Sequence, residues 1–133
     1  MHTQELAALI LYDDQHRMLL QHRTDDAPTF PGHWSFFGGG IEPGETPEQA
    51  VKREAMEELA YDPQSPRLWT TNAFNDRGRA FTQYVFIERY DGSDLVLGEG
   101  QAMGWFLASE TKTLLMSSHA RDTVAALAGF LAR

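Results

Sequence analysis

Residues 38–61 read GGGIEPGETPEQAVKREAMEELAY, and this stretch decides the reading of the chain. Gly38, Gly39 and Gly40, followed by Pro43 and Gly44, spell a loop. Thr46-Pro47-Glu48-Gln49 then opens a helix: Thr46 can cap it, Gln49 can complete a capping box, and Pro47 suits the first turn. The helix is predicted to run to about Ala60, where Tyr61-Asp62-Pro63 stops it. At about 100° per residue, Glu54, Glu57 and Glu58 share one sector of that helix, beside an apolar face of Val51, Ala55 and Leu59. Three carboxylates at i, i+3 and i+4 repel one another by a few tenths of a kcal/mol per pair. Glu57 and Glu58 also sit near the helix C-terminus, whose dipole favours cations. Arg53 can pair with Glu57 at i+4, but one arginine cannot neutralise the cluster. A hard divalent cation resolves the conflict, since Mg²⁺ takes oxygen ligands. A solvated acidic face is the ordinary alternative for three glutamates on a helix. Against it stands the preceding loop, whose glycines let a backbone carbonyl approach a metal and phosphate oxygens approach the main chain. Glu45 stands just ahead of the cap.

Upstream, Leu6 to Tyr12 is a short apolar run ending at Asp13-Asp14 and reads as a buried strand. Met18 to Gln21 looks like its antiparallel partner across a polar turn. From Thr24 to Gly44 the density of Pro and Gly predicts loop, interrupted by a short strand at Trp34 to Phe37. Downstream, Leu68 to Phe74 and Phe81 to Tyr90 read as strands joined by a glycine-containing turn. Asp91 to Gly100 reads as a loop, and a short strand is expected around Trp105-Phe106. From Ser117 onward, Val124, Leu127, Ala128 and Leu131 fall at helical spacing, which predicts an amphipathic helix.

The whole chain has 133 residues, about the length of one domain. Its composition, 42% hydrophobic and 23% charged, excludes disorder and collagen-like fibre. No cysteine is present, which removes disulfides, thiolate metal sites and a thiol nucleophile. Nineteen acidic against eleven basic residues give a net charge of −8 and no basic stripe, an argument against nucleic acid or an anionic membrane as partner. A small anionic substrate stays compatible with such a protein when a divalent cation intervenes. No segment reaches the ~18 apolar residues of a membrane span, and the N-terminus lacks the basic and apolar regions of a signal peptide. A cytoplasmic protein is therefore expected.

Gly39, five residues, Glu45, seven residues, and then Arg53-Glu54-Ala55-Met56-Glu57-Glu58 resembles the Nudix box of the Nudix hydrolase family, 23 residues from Gly39 to Tyr61. The wider chain is similar to MutT-type members in its opening hairpin, in Arg23 after it, and in Glu99-Gly100-Gln101 ahead of Trp105. The resemblance implies an α+β fold, an α/β/α sandwich with a mixed β-sheet between helices, as a single domain over residues 1–133. It implies Mg²⁺, or Mn²⁺, held by Glu57, Glu58 and the carbonyl oxygen of Gly38. Glu54 is then either a further ligand or the base that activates water. Glu99 would bind a second metal or accept the proton of the attacking water. Arg53 would orient the glutamates, and Glu45 would brace the loop.

The implied activity is a pyrophosphohydrolase acting on a nucleoside diphosphate linked to another moiety, foremost a nucleoside triphosphate giving monophosphate and pyrophosphate. A nucleotide sugar or dinucleotide substrate, and a non-catalytic nucleotide-binding module, are the alternatives. A Ca²⁺-binding structural domain lacks the expected alternating acidic loop. Gly39, Gly40 and Arg23 are the candidates for phosphate contact, with Arg77 and Arg79 weaker. Phe30, Trp34, Phe36 and Phe37 are candidates for stacking on a base, with core packing the ordinary reading. His33 and His119 read as hydrogen-bonded or exposed rather than as ligands. The assembly is open, with a homodimer as one form. Two positions depart from the box: Ala55 changes packing volume only, and Ala60 disfavours the left-handed turn that glycine would allow, so a different helix end is expected.

Overall fold

The computed structural model describes residues 3–133. Its central strand, β1 (Thr3–Tyr12), is buried on both faces: Ala7, Leu9 and Leu11 turn to one side, Ala8 and Ile10 to the other. Such a strand reads as a continuous apolar run rather than an alternation, which is why Leu6 to Tyr12 stands out in the sequence. β2 spans Met18–His22, β3 Trp34–Ser35, β4 Phe37–Gly40, β5 Arg67–Asp76, β6 Arg79–Arg89 and β7 Ala102–Phe106. β1 runs parallel to β6, from Thr3 opposite Ala80 to Tyr12 opposite Arg89, and antiparallel to β4, from Leu6 opposite Gly40 to Leu9 opposite Phe37. β5 and β6 form a hairpin through Arg77 and Gly78, both at positive φ (50° and 76°), as a tight two-residue hairpin turn requires.

The opening hairpin differs from expectation. β2 meets β1 only at Met18 opposite Tyr12, because β4 occupies the β1 edge further along. The main partner of β2 is β7, from Met18 opposite Phe106 to His22 opposite Ala102, and β3 flanks its other edge. A 3-10 turn at Ala108–Thr113, absent from the sequence reading, leads into the last helix.

Helices cover the two faces of this mixed sheet. α1 (Pro47–Leu59) buries Ala50, Val51, Ala55 and Leu59 on the Leu9–Leu11 side. α2 (Ser118–Leu131) buries Ala120, Val124 and Leu127 on the Ile10 side. The capping box at α1 is formed in full: Thr46 Oγ1 accepts from Gln49 N at 3.1 Å and Gln49 Oε1 from Thr46 N at 2.9 Å. At its other end Ala60 adopts the left-handed conformation after all, φ 52° and ψ 34°. For alanine that conformation costs about 1–2 kcal/mol. Tyr61 holds it there: its side chain is 1% exposed, and its hydroxyl donates to Glu88 at 2.6 Å.

The last carbonyls of α1 are satisfied by the 91–100 loop, with Val96 N donating to Leu59 O at 2.9 Å and Gly98 N to Glu58 O at 2.7 Å. This clamp brings Glu99 to the helix. Among the described residues no helix is long and apolar enough to cross a membrane.

Candidate functional site

Three carboxylates converge where α1, β4 and the clamped loop meet. Oxygens of Glu54, Glu58 and Glu99 lie within 4.8 Å of one another. Glu58 is 2% exposed, Glu54 half-buried and Glu99 exposed. Gly38 N donates to Glu58 Oε1 at 2.7 Å, and Gly38 itself requires glycine: at φ 147° an added methyl would run into the Ala7 carbonyl. Gly39 is small for a related reason, since a methyl there would lie 2.6 Å from Glu54 Oε1.

Arg53 organises the outer side of the group. Its Nε and Nη2 grip both oxygens of Glu45 (2.9 and 3.0 Å), Nη1 holds Glu54 Oε1 at 2.9 Å, and Nη2 also donates to Gly40 O at 3.0 Å. The expected i,i+4 partner, Glu57, is the longest of these contacts at 3.5 Å, and its side chain is 59% exposed. The structure therefore brings Glu54, Glu58 and Glu99 together with Gly38, and leaves Glu57 at the rim. Arg53 holds the Glu45 carboxyl down to about 2.

Burial, then the neighbouring Glu99 and Glu54, push the Glu58 carboxyl up to about 10 despite the Gly38 N–H. Burial likewise raises Glu54, against the pull of Arg53. Like charges packed this closely, one of them out of water, are the arrangement a bound cation relieves. With oxygen donors alone in the trio, the set fits a hard divalent cation such as Mg²⁺ or Mn²⁺.

The trio closes one end of a cavity of about 410 Å³. Gly39 and Gly40 line it beside the carboxylates, and Arg23 enters from the loop after β2. Arg23 is half committed already: Nε donates to Thr29 O at 2.8 Å and Nη2 to Thr29 Oγ1 at 3.0 Å, which braces the 24–32 loop. The far wall is aromatic. Phe74 stacks on His119 with centroids 3.7 Å apart and planes 5° off parallel, Phe81 lies 5.3 Å beyond, and Phe30 tilts against both Phe74 and His119. Burial holds His119 down to about 4, so it is a neutral ring at pH 7.

Of the aromatic candidates, Phe30 and Phe36 line the cavity. Phe37 is buried in the α1-side core, and Trp34 stacks on His22. His33 is hydrogen-bonded to Pro31 O at 2.9 Å. Arg79 reaches the cavity mouth over the Phe81 ring, whereas Arg77 is spent on the turn. Sequence reasoning missed Phe74, Phe81 and Gln83 as cavity residues. A signal exists: with period two along β6, Phe81, Gln83 and Val85 share a face, and a glutamine between two apolar inward positions is out of pattern.

The family model for the NUDIX domain matches residues 2–127. Nucleoside triphosphatase NudI of Escherichia coli (strain K12 / DH10B) is 54% identical over 41 residues, which are 31% of this chain and 29% of that protein. The match thus spans less than a third of the relative's length. Among solved structures, the MutT protein from Methanosarcina mazei Go1 superposes with a TM-score of 0.87 at 19% identity, covering 98% of this chain and 96% of that one. A C. elegans Ap4A hydrolase, solved as a binary complex, superposes at 0.82 with 21% identity and 98% coverage of both chains. At such identities these likenesses concern the fold.

Proposed function

The chain belongs to the NUDIX domain family, and on that premise we propose that it is a divalent-metal-dependent pyrophosphohydrolase whose substrate is a nucleoside triphosphate, cleaved to monophosphate and pyrophosphate. One observation carries the reading: the Glu54–Glu58–Glu99 trio closes one end of a cavity whose other end is an aromatic wall. A polyanionic phosphate chain needs a cation at the first end, and a nucleobase suits the second.

Glu54, Glu58 and Glu99 would hold the metal, with the Gly38 carbonyl and rim-standing Glu57 as further ligands. When bound, Mg²⁺ or Mn²⁺ supplies Lewis-acid polarisation of phosphoryl oxygen and lowers the pKa of water. The residues of the chain do the rest. The Gly38 N–H fixes one Glu58 oxygen and so orients the carboxyl group. Arg53 sets the Glu54 rotamer and ties the helix to the glycine loop through Gly40 O. Glu54, raised by burial, would take a proton from the attacking water, and Glu99 is the second candidate for that role. Arg23, Gly39 and Gly40 line the same cavity, and they would contact the phosphates. No covalent intermediate is required, because attack of water on phosphorus gives both products directly.

A panel of nucleoside triphosphates, nucleotide sugars and dinucleotides, incubated with Mg²⁺ and resolved by chromatography, tests the proposal. Monophosphate and pyrophosphate from a triphosphate support it. Preferential cleavage of a dinucleotide or nucleotide sugar would replace the substrate class, and absence of any diphosphate cleavage would overturn the reaction.

A further inference from the structure

Gln83 lies on the cavity wall at 7% exposure, opposite Leu6 of β1. Its Oε1 accepts from Asn72 Nδ2 at 3.1 Å, and the same Nδ2 donates to Thr123 Oγ1 at 2.9 Å. Thr123 Oγ1 in turn donates to the carbonyl of His119 at 2.7 Å. The polarity of this chain is fixed by its end. A backbone carbonyl only accepts, so the single hydroxyl hydrogen of Thr123 goes to His119. The Thr123 oxygen must then accept, which turns the amide nitrogen of Asn72 toward it. The second hydrogen of that nitrogen meets Gln83, and so fixes the carbonyl end of Gln83 toward Asn72. Gln83 Nε2 faces the other way. It has no hydrogen-bond partner among the described residues, and no sealed side-chain polar atom there lacks one, so this donor opens onto the cavity.

We infer that Gln83 is a specificity-determining residue, donating from Nε2 to a keto oxygen on the substrate's base at position 6 of a purine or position 4 of a pyrimidine. The inference rests on the nucleotide reading above. With phosphates at the carboxylate end, the base enters with the edge opposite its glycosidic bond leading toward the far wall, where Gln83 waits. The aromatic wall is indifferent to base identity, because every base has a π-face. The choice therefore falls to the polar group. An amino group at the same ring position would set donor against donor and leave both unpaired in a buried place, a discrimination of about tenfold or more.

The test uses matched pairs that exchange an oxygen for an amine at that position: ITP against ATP, and UTP against CTP. The expected result is a kcat/KM about tenfold or more higher for ITP and UTP, with the monophosphates IMP and UMP binding more tightly than AMP and CMP in calorimetry. Gln83→Leu should erase both preferences, mainly through KM. Asn72→Asp goes further: an acceptor-only neighbour lets the Gln83 amide turn over and present its carbonyl, so the preference should reverse toward CTP and ATP. A purely structural role for Gln83 predicts no reversal, and Asn72→Asp carries the test if Gln83→Leu fails to fold. Equal kcat/KM within both pairs for the wild type, or preferences unmoved in both variants, overturns the Gln83 assignment and leaves hydrolysis standing. If none of the four is hydrolysed but IMP and UMP still bind more tightly, Gln83 stands and the proposed reaction falls. If none is hydrolysed and none bound, both fall.

Discussion

A single methyl group added at Gly98 should disable the site without touching any of its carboxylates. In Gly98→Ala the new carbon would lie 2.6 Å from the Glu57 carbonyl oxygen and 3.4 Å from that of Glu58. Neither carbonyl can retreat, because both belong to the backbone of α1. The Gly98 N–H also clamps the loop to Glu58 O at 2.7 Å, so the loop cannot simply rotate in place. Restoring an ordinary separation of about 3.5 Å requires the loop to back away by about 1 Å. Glu99 is the next residue and moves with it. A misplacement of about 1 Å costs on the order of 100-fold in rate, while overpacking of this kind costs about 1–3 kcal/mol of stability. The assay is kcat at saturating substrate and Mg²⁺, with a thermal melt on the same sample. Gly129→Ala is the control: a methyl there meets nothing within 4 Å, so it should leave kcat unchanged and stabilise α2 by up to about 1 kcal/mol. If folded Gly98→Ala turns over within about twofold of wild type, the loop does not position a catalytic group by this clamp.

Other substitutions test the supports of the site. Ala60→Gly removes the left-handed strain but adds unfolded-chain entropy, so a net gain of about 0.5–1 kcal/mol and a Tm rise of ~2–4 °C are expected, with kcat unchanged; a lower Tm would contradict this account of the helix end. Arg53→Lys loses the two-pronged grip on Glu45 and cannot at once hold Glu54 and Gly40 O. We expect kcat to fall about 10- to 100-fold with KM little changed, as steady-state kinetics would read. His119 is held neutral down to about 4, against an ordinary 6.5 in the unfolded chain, so the unfolded state binds the extra proton first. Its contribution is present above pH 6.5 and is lost as pH falls toward 4, by up to about 1.4 kcal/mol per pH unit. Nearby Asp122 and Asp76 oppose that loss. Denaturant melts of wild type and His119→Phe across pH 4–7 should diverge in this window, and parallel curves would refute it.

What the sequence disclosed was local. Thr46, Pro47 and Gln49 determine the start of α1 within four residues, and helical spacing alone sets Glu54 and Glu58 on one side. The doubly buried β1 announced itself as an apolar run. Strand partners were not local: β2 lies close to β1 in sequence, yet its long register is with β7, some eighty residues on, because β4 competes for the β1 edge. Spacing left the position of Glu57 open. Helical angle puts it in the acidic sector, but only side-chain packing shows that it stands exposed at the rim beside Arg53, next to the Glu54–Glu58–Glu99 group. Glu99 itself was legible only through resemblance, since a Gly-Glu-Gly loop carries no sign of the helix it clamps. The aromatic wall was hidden for the same reason. Phe30, Phe74, Phe81 and His119 come from three separate parts of the chain, and nothing in any one part marks the others. At Ala60 a local rule was overridden by burial of the next residue, Tyr61.

The central claim is that the Glu54–Glu58–Glu99 carboxylate trio, with Glu58 buried, holds the ion on which diphosphate hydrolysis depends. Glu58→Gln tests it most directly, because glutamine keeps the shape and still accepts from the Gly38 N–H while removing the charge. Calorimetric titration of Mn²⁺ into wild type and variant, with hydrolysis measured on the same preparations, is the decisive measurement. The account predicts wild-type binding weakened at least about tenfold in the variant, turnover lowered by about three orders of magnitude, and no wild-type hydrolysis in excess chelator. Wild-type-like metal binding and turnover in Glu58→Gln, or full hydrolysis by the wild type in excess chelator, would contradict it.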